Sequence, residues 1–453
     1  TALIYRENVG IYYLAVSVIC FLMGWLMSHK KPGNSLFLLK EGCVATALSW
    51  IFLSFFGCLP FYVSGEIPSF TDALFETISG FTTTGASILT DIEALSHTAL
   101  IWRSFTHWIG GMGVLVFLLA IIPLSGGSHI NLMRAESPGP SVGKLVPNIK
   151  TTARLLYSIY LGLTVLEIIL LVLGACPLFD AIAIGFGTAG TGGFAIKNDS
   201  LAGYSSYIQW VVTIFMLLFG VNFNAYYLLL FRKFKKAVSM EEVKAYFGII
   251  IASTLIIFFN IFKYAKPAGT LFRDAAFQVA SIITTTGFAT VDFDMWPQTS
   301  KTILVMLMFI GACAGSTGGG IKVSRLLILC KSARKELQLY LHPNAVKKIK
   351  MDDKAIPHEV VRATNMFLFV YIMIFVTSLL IISLDNLDMV SNFTAIAATL
   401  NNIGPGLGAV GPTGNFNTYS YISKGVMIFD MLAGRLEVFP LLLLFKRDTW
   451  RKF

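Results

Sequence analysis

The feature that most constrains this chain is a seven-residue motif, FTTTGAS at 81–87, that returns in weaker form three times. The returns are GTAGTGGF at 187–194, ITTTGFA at 283–289 and NNIGPGL at 401–407, spaced by roughly a hundred residues. Each follows a short apolar run that opens on a polar residue and an alanine: Asp72-Ala73, Asp180-Ala181, Asp274-Ala275 and, more loosely, Asn392 to Ala395. That spacing predicts a helix of about three turns, capped by the Asp or Asn and running down to a glycine-bearing extended loop. Long apolar segments flank every unit. The chain therefore reads as four copies of helix, short helix, loop, helix, and a repeat of this kind governs the fold before local detail does.

Composition says which solvent these repeats meet. Of 453 residues, 55% are hydrophobic and only 13% charged, and mean hydropathy is +0.71, too apolar for a soluble domain. A net charge of +10 would point to nucleic acid in a soluble protein. Here it reflects the positive bias of cytoplasmic loops, and no nucleic-acid partner is expected. The six cysteines (Cys20, Cys43, Cys58, Cys176, Cys313, Cys330) are scattered without a CxxC pair, which reads as buried thiols.

A loop rich in Thr and Gly has a specific use inside a membrane. Irregular backbone at that depth is tolerated only where protein encloses it or where it lines a wet cavity. Four such loops around one axis do both, and inward carbonyl oxygens can replace the hydration shell of a dehydrated cation. Glycine allows backbone angles closed to other residues, and the short helices aim their negative C-terminal ends at the cavity, favouring a cation. The candidate coordinating backbone is Thr83, Thr84 and Gly85; Thr191 and Gly192; Thr285, Thr286 and Gly287; and Asn402, Ile403 and Gly404.

In chain order, a first spanning helix is predicted at 11–28, followed by His29, Lys30, Lys31 and Lys40, which places that loop in the cytoplasm and Thr1 outside. No signal-peptide pattern precedes it, so an earlier crossing is expected to be missing from this sequence. The predicted divisions are a pre-repeat helix (1–41) and four pore repeats (42–131, 132–232, 233–340 and 341–453). Outer helices fall at 42–63, 157–176, 247–262 and 363–384. Inner helices start near Leu100, run over 207–231, break within 302–330, and run over 425–445. Basic clusters after each inner segment fall on the inside, for nine crossings.

Two further features bear on transport. The stretch Gly311, Ala312, Cys313, Ala314, Gly315, Ser316, Thr317, Gly318, Gly319, Gly320 looks like a phosphate-binding loop, but Lys322 is one residue too far and no strand–helix unit surrounds it. So many small residues break the inner helix of the third repeat and leave either a flexible loop or a packing kink. Arg435 lies within the last inner helix, where a charge is costly and faces either a cavity or a carboxylate such as Glu76 or Glu437. His107 reads as a packing residue. Neither GxSxG nor HExxH occurs, and no enzyme is expected.

Seven separated motifs, FTTTGAS, WRSFTHWIGGMG (102–113), RAESPGP (134–140), GACAGSTGGGIKV (311–323), HPNAV (342–346), TLNNIGPGLG (399–408) and GRLEVF (434–439), occur in the order seen in the TrkH family of bacterial potassium-uptake systems, and the chain resembles that family over essentially its whole length. The resemblance implies an all-α polytopic protein of the bacterial cytoplasmic membrane, its four repeats set around one pore. It implies potassium as the transported ion with no bound cofactor, and Gly85, Gly192, Gly287 and Gly404 as the filter glycines, a potassium-preferring pattern. It further implies 311–320 as a gate under the filter and Arg435 as a residue that limits cation occupancy. Expected partners are a second copy in a homodimer, membrane lipid, and a cytoplasmic nucleotide-binding ring resembling TrkA that docks on the basic loops. A potassium:proton symporter and a poorly selective potassium/sodium pore are the alternatives.

Overall fold

A computed structural model describes residues 1–29, 39–113, 149–264, 266–344 and 348–451. The RAESPGP motif, the basic residues Arg134 and Lys144 and the end of HPNAV lie outside the described residues. Helices α1 (Ala2–Tyr5) and α2 (Gly10–Ser28) come first. The first unit is α3 (Leu39–Ser64), α4 (Phe70–Phe81) and α5 (His97–Met112). The second is α6 (Ile149–Leu173), α7 (Leu178–Gly190), α8 (Ser206–Phe219) and α9 (Phe223–Leu230), with α10 (Phe234–Ser239) after it. The third is α11 (Glu241–Ile261), α12 (Ala268–Ile283), α13 (Gln298–Ile310) and α14 (Val323–Leu341). A small hairpin, β1 (Lys350–Met351) with β2 (Lys354–Ala355), leads to the fourth: α15 (His358–Ile382), α16 (Met389–Leu400), α17 (Tyr421–Arg435) and α18 (Phe439–Leu443).

The four units interlock in one direction. Inner helix α5 packs on the short helix α7 of the second unit, α8 on α12 of the third, α13 on α16 of the fourth, and α17 returns to α4 of the first. Four copies of one contact close a ring. Within lipid no hydrophobic drive separates helix from tail, so such contacts rest on close packing at small residues. Gly111 of α5 illustrates it: an added Cβ there would stand 2.6 Å from the Cα of Gly190 on α7.

The short helices α4, α7, α12 and α16 are predicted correctly in kind, but their starts are corrected. Ser69 caps α4 by accepting from the Asp72 N–H, and Asp388 caps α16 by accepting from that of Ser391. Proline precedes α7 and α12. Asp72 and Asp180 sit in the first turn, where a negative charge complements the helix dipole, and Asp274 lies further in.

Crossing helices are also revised. Among the described residues five helices are long and apolar enough to span a membrane: α2, α3, α6, α11 and α15, the last counted with the turn after it. The inner segments are broken in the second and fourth units as well as the third. The pair α8 and α9 bends by 91°, and α17 stops at Arg435, after which Glu437 and Val438 take positive φ of 56° and 67°. Helix α2 buries only Val16, as expected of a helix that meets lipid on most sides.

Candidate functional site

Each short helix ends in the same turn. A residue just past its end, two beyond α4, α12 and α16 and one beyond α7, takes left-handed backbone: Thr83 (φ 57°), Thr191 (54°), Thr285 (57°) and Asn402 (55°). The next N–H reaches back five residues, from Thr84 to the Ser79 carbonyl (2.8 Å), Gly192 to Gly187 (2.9 Å), Thr286 to Ser281 (2.9 Å) and Ile403 to Ala398 (2.9 Å). This is the glycine-ended Schellman cap with a β-branched residue or Asn where glycine is usual. A Thr in that conformation is strained, and strain repeated at equivalent positions marks a backbone held for a purpose.

One residue further on stands a glycine of positive φ in every loop: Gly85 (77°), Gly193 (75°), Gly287 (86°) and Gly404 (99°). Gly193, not Gly192, is therefore the second loop's equivalent of Gly85, which corrects the sequence register. Each glycine faces the carbonyl of the next unit. An added Cβ on Gly85 would lie 1.9 Å from the Gly192 oxygen, on Gly193 2.0 Å from Thr286, on Gly287 2.1 Å from Ile403, and on Gly404 2.8 Å from Thr84. The order runs one to two, two to three, three to four, four to one. All four loops thus meet around one axis, and only glycine lets the carbonyls of Thr84, Gly192, Thr286 and Ile403 approach so closely.

The Thr84 and Thr286 side chains bond to hydroxyls of their own loops. Thr84 Oγ1 shares a 2.8 Å hydrogen bond with Thr82 Oγ1 and accepts from Asn402 Nδ2 at 2.9 Å, while Asn402 also donates to the Met431 carbonyl at 2.9 Å. Thr286 and Thr284 repeat the hydroxyl pair at 2.8 Å. In the second loop the equivalent slot is filled by His107, whose ring lies 2.3 Å from where a Gly192 Cβ would be. His107 Nε2 accepts from the Phe194 N–H at 3.1 Å, and Nδ1, which must then carry the proton, donates to the Gly80 carbonyl at 2.7 Å. The histidine is a strut between units one and two, which explains why that loop reads TGG and not TTG.

A second strut is Arg103, which the sequence reading did not single out although it lies within the 102–113 motif. Its guanidinium binds Glu76 at 2.7 and 2.9 Å and the Ala195 carbonyl at 3.1 Å, both side chains being buried. Glu76 in turn accepts from the Ile88 N–H at 3.0 Å and the Ser87 hydroxyl. The pair thus ties the outgoing strand of loop one to that of loop two. Above the ring, on the side away from the basic loops, lies a funnel of about 190 Å³ lined by Gly85, Gly193, Gly287 and Gly404 together with Ser87 and Asn198.

Below the ring, 311–322 replaces helix. The Gly319 N–H donates to Thr285 Oγ1 at 2.6 Å and that of Gly320 to the Asn401 carbonyl at 3.1 Å, so the segment abuts loops three and four. Cys313 N–H bonds the Gly220 carbonyl at the bend between α8 and α9. Lys322 is buried and donates to the Gly318 carbonyl. Arg435 donates to the Thr317 carbonyl at 3.0 Å and to those of Gly110 and Gly111, the latter at 2.7 Å, joining units four, three and one. The carboxylates offered as its ion partners make their pairs elsewhere, Glu76 with Arg103 and Glu437 with Arg325. The space between Gly318, Gly319, Lys322 and Arg435 closes to about 10 Å³, room for no more than a single water.

Four helix ends converging on a carbonyl ring, in a chain of apolar helices, define a membrane cation-transport protein and not an enzyme. The TrkH family profile, described as a cation transport protein, matches residues 12–263 and 259–451. The chain is 38% identical to the Trk system potassium uptake protein TrkH of Salmonella typhimurium, with 100% of this chain and 94% of that one covered, and equally identical to that of Escherichia coli K12 over the same shares. The crystal structure of the potassium transporter TrkH from Vibrio parahaemolyticus superposes with a TM-score of 0.87 at 35% identity, over 99% of this chain and 94% of that one. The chain belongs to the TrkH family and is a multi-pass protein of the bacterial inner membrane.

Proposed function

We propose that this protein carries potassium into the cell through a selective, channel-like pore that opens and closes at 311–320. The observation that carries this reading is the cyclic contact of Gly85, Gly193, Gly287 and Gly404 with the carbonyls of the next unit. A ring of backbone oxygens at the C-terminal ends of four helices stabilises a dehydrated cation without a buried counter-charge. Relatives at 38% identity are named as potassium uptake proteins of the Trk system, which supports potassium as cargo. Among the described residues the segment under the ring is held by Lys322 and Arg435 with a space of only about 10 Å³ between them, which supports a closed conformation. Arg435 adds a fixed positive charge below the filter and limits how many cations dwell there. A second copy in the membrane and a nucleotide-binding ring resembling TrkA on the cytoplasmic face complete the system, the ring supplying the signal that opens the gate.

Flux through the purified protein in liposomes tests this. Potassium flux that follows its own gradient, exceeds sodium flux and persists when the proton gradient is collapsed is the expected result. Flux abolished with the proton gradient would favour a symporter, and equal sodium flux would remove the selective filter.

A further inference from the structure

The segment under the filter is held from behind by a carboxylate on the cytoplasmic end of an outer helix. Glu242, buried on α11, accepts from the Ala314 N–H at 2.6 Å and from the Ser324 N–H at 3.2 Å through Oε1, and from Asn222 Nδ2 at 3.1 Å through Oε2. Ala314 lies near the start of the segment and Ser324 in the first turn of α14 just after it. Helix α14 has no side-chain cap of its own, Lys322 preceding it with φ 81°. One carboxylate therefore clamps both ends of the segment and stands at the positive end of α14. Asn222, its third partner, is the cap of α9 at the bend of the second unit's inner segment.

The neighbouring residue faces the other way. Glu241 Oε1 accepts from the Asp352 N–H at 3.2 Å, and Asp352 Oδ1 accepts from the Glu241 N–H at 2.8 Å, a reciprocal pair between positions 111 apart in sequence. Asp352 and Asp353, with φ 49° and 62°, are the two left-handed residues of the turn between β1 and β2. Lys331 of α14 donates to Glu241 and, at 2.7 Å, to the Lys350 carbonyl. The hairpin is thus bolted to the first residue of α11, and the second residue of α11 holds the segment under the filter.

We infer that Glu241 and Glu242 form a joint through which the position of the cytoplasmic hairpin sets the closed conformation of 311–322, with Glu242 as the positioning residue. The inference deepens the gated-pore reading and rests on it only for the consequence in flux. A force that lifts the hairpin turns the start of α11, and the two backbone N–H bonds on Glu242 Oε1 are the first contacts with the segment to break. Among the described residues no other carboxylate bonds to the backbone at both Ala314 and Ser324.

Cys313 lies within the segment and is fully buried, so its reaction rate with a charged thiosulfonate reagent reports the segment directly. The experiment uses the full chain with the other five cysteines replaced by serine or alanine, reconstituted in liposomes, with labelling and potassium flux read in parallel. Glu242→Ala is expected to raise the labelling rate by roughly tenfold, the loss of hydrogen bonds to a charged acceptor. Asp352→Gly keeps the turn, since glycine accepts left-handed backbone, and removes only the carboxylate; it is expected to raise the rate by roughly threefold, the worth of one modest hydrogen bond. Asp352→Asn retains the acceptor oxygen and restores the wild-type rate. Asp352 stands on a surface turn, so its variants fold even if the Glu242 variant does not. Wild-type labelling in Asp352→Gly overturns the joint, as does a rise in Asp352→Asn equal to that in Asp352→Gly. Faster labelling with flux unchanged upholds the joint and removes the gate reading, so the two fail separately.

Discussion

A methyl group added at Gly193 has nowhere to go. It would sit 2.0 Å from the Thr286 carbonyl oxygen on a residue whose φ is 75°, so the backbone must move and with it the ring of oxygens. At Gly192 the obstacle is the imidazole of His107, behind the ring, and φ is not positive. The two neighbours should fail in different ways. Gly193→Ala is expected to bring the potassium-to-sodium flux ratio close to one. Gly192→Ala is expected to lower thermal stability by about 1–3 kcal/mol, the usual cost of overpacking, with a smaller change in the ratio. Fluorescence-monitored melting beside ratio measurements distinguishes them, and the opposite pattern would return the filter register to Gly192. This register could not be read from TGG, because two adjacent glycines each permit positive φ. It is fixed by which residue takes the turn after α7, and that follows from where His107 stands. In loops one and three, TTTG offers a single glycine and the sequence was sufficient.

Elements were legible where a solvent or a repeat imposed them. Outer helices announce themselves by apolar length, and the short helices by recurrence before a glycine loop. The breaks in the inner segments were legible only at 311–320, where glycines crowd. In the fourth unit the chain breaks at Leu436, Glu437 and Val438, residues with no turn signal, and Val438 holds φ 67° against its preference. Arg435 supplies a tertiary reason for the break. Its donation to the Gly110 and Gly111 carbonyls in the last turn of α5 and to the Thr317 carbonyl of the segment under the filter fixes α17 at that residue. Charge and tie can be separated by substitution. Arg435→Lys keeps the charge and loses the fork of donors, whereas Arg435→Ala loses both. If the tie holds the segment closed, both variants raise partner-free potassium flux, by roughly tenfold for one or two charge-assisted hydrogen bonds. If charge alone blocks ions, only the alanine variant does so. Stopped-flow flux with a potassium-sensitive dye in the same liposomes decides between them.

Across the whole molecule, the ring is closed by contacts between the first and last units, hundreds of residues apart. Helix α17 packs on α4, Asn402 bonds Thr84, and Lys424 near the start of α17 meets Asp72 of α4 at 2.6 Å, with only 4% and 15% of the two side chains exposed. No sequence pattern links positions 72 and 424, which is why this pair escaped prediction while the fourfold repeat did not. Removing one partner leaves the other charge largely buried, an expected cost of about 3 kcal/mol. A double-mutant cycle on Lys424→Met and Asp72→Asn should show a coupling of about 1 kcal/mol or more, since the residues touch and close the ring together. The pair Lys301 and Asp294, 3.6 Å apart with 24% and 32% exposed, joins neighbours within one unit and serves as the control, with a coupling of roughly 0–1 kcal/mol. Thermal unfolding, in detergent, of wild type and of the two single variants and the double variant for each pair gives both numbers. A coupling at Asp72 and Lys424 no larger than the control would mean that apolar packing of α17 on α4 closes the ring without the ion pair. A larger one makes this pair the clasp that holds the fourth loop against the first, so that Lys424→Met should also lower the potassium-to-sodium ratio although the residue lies well away from the filter.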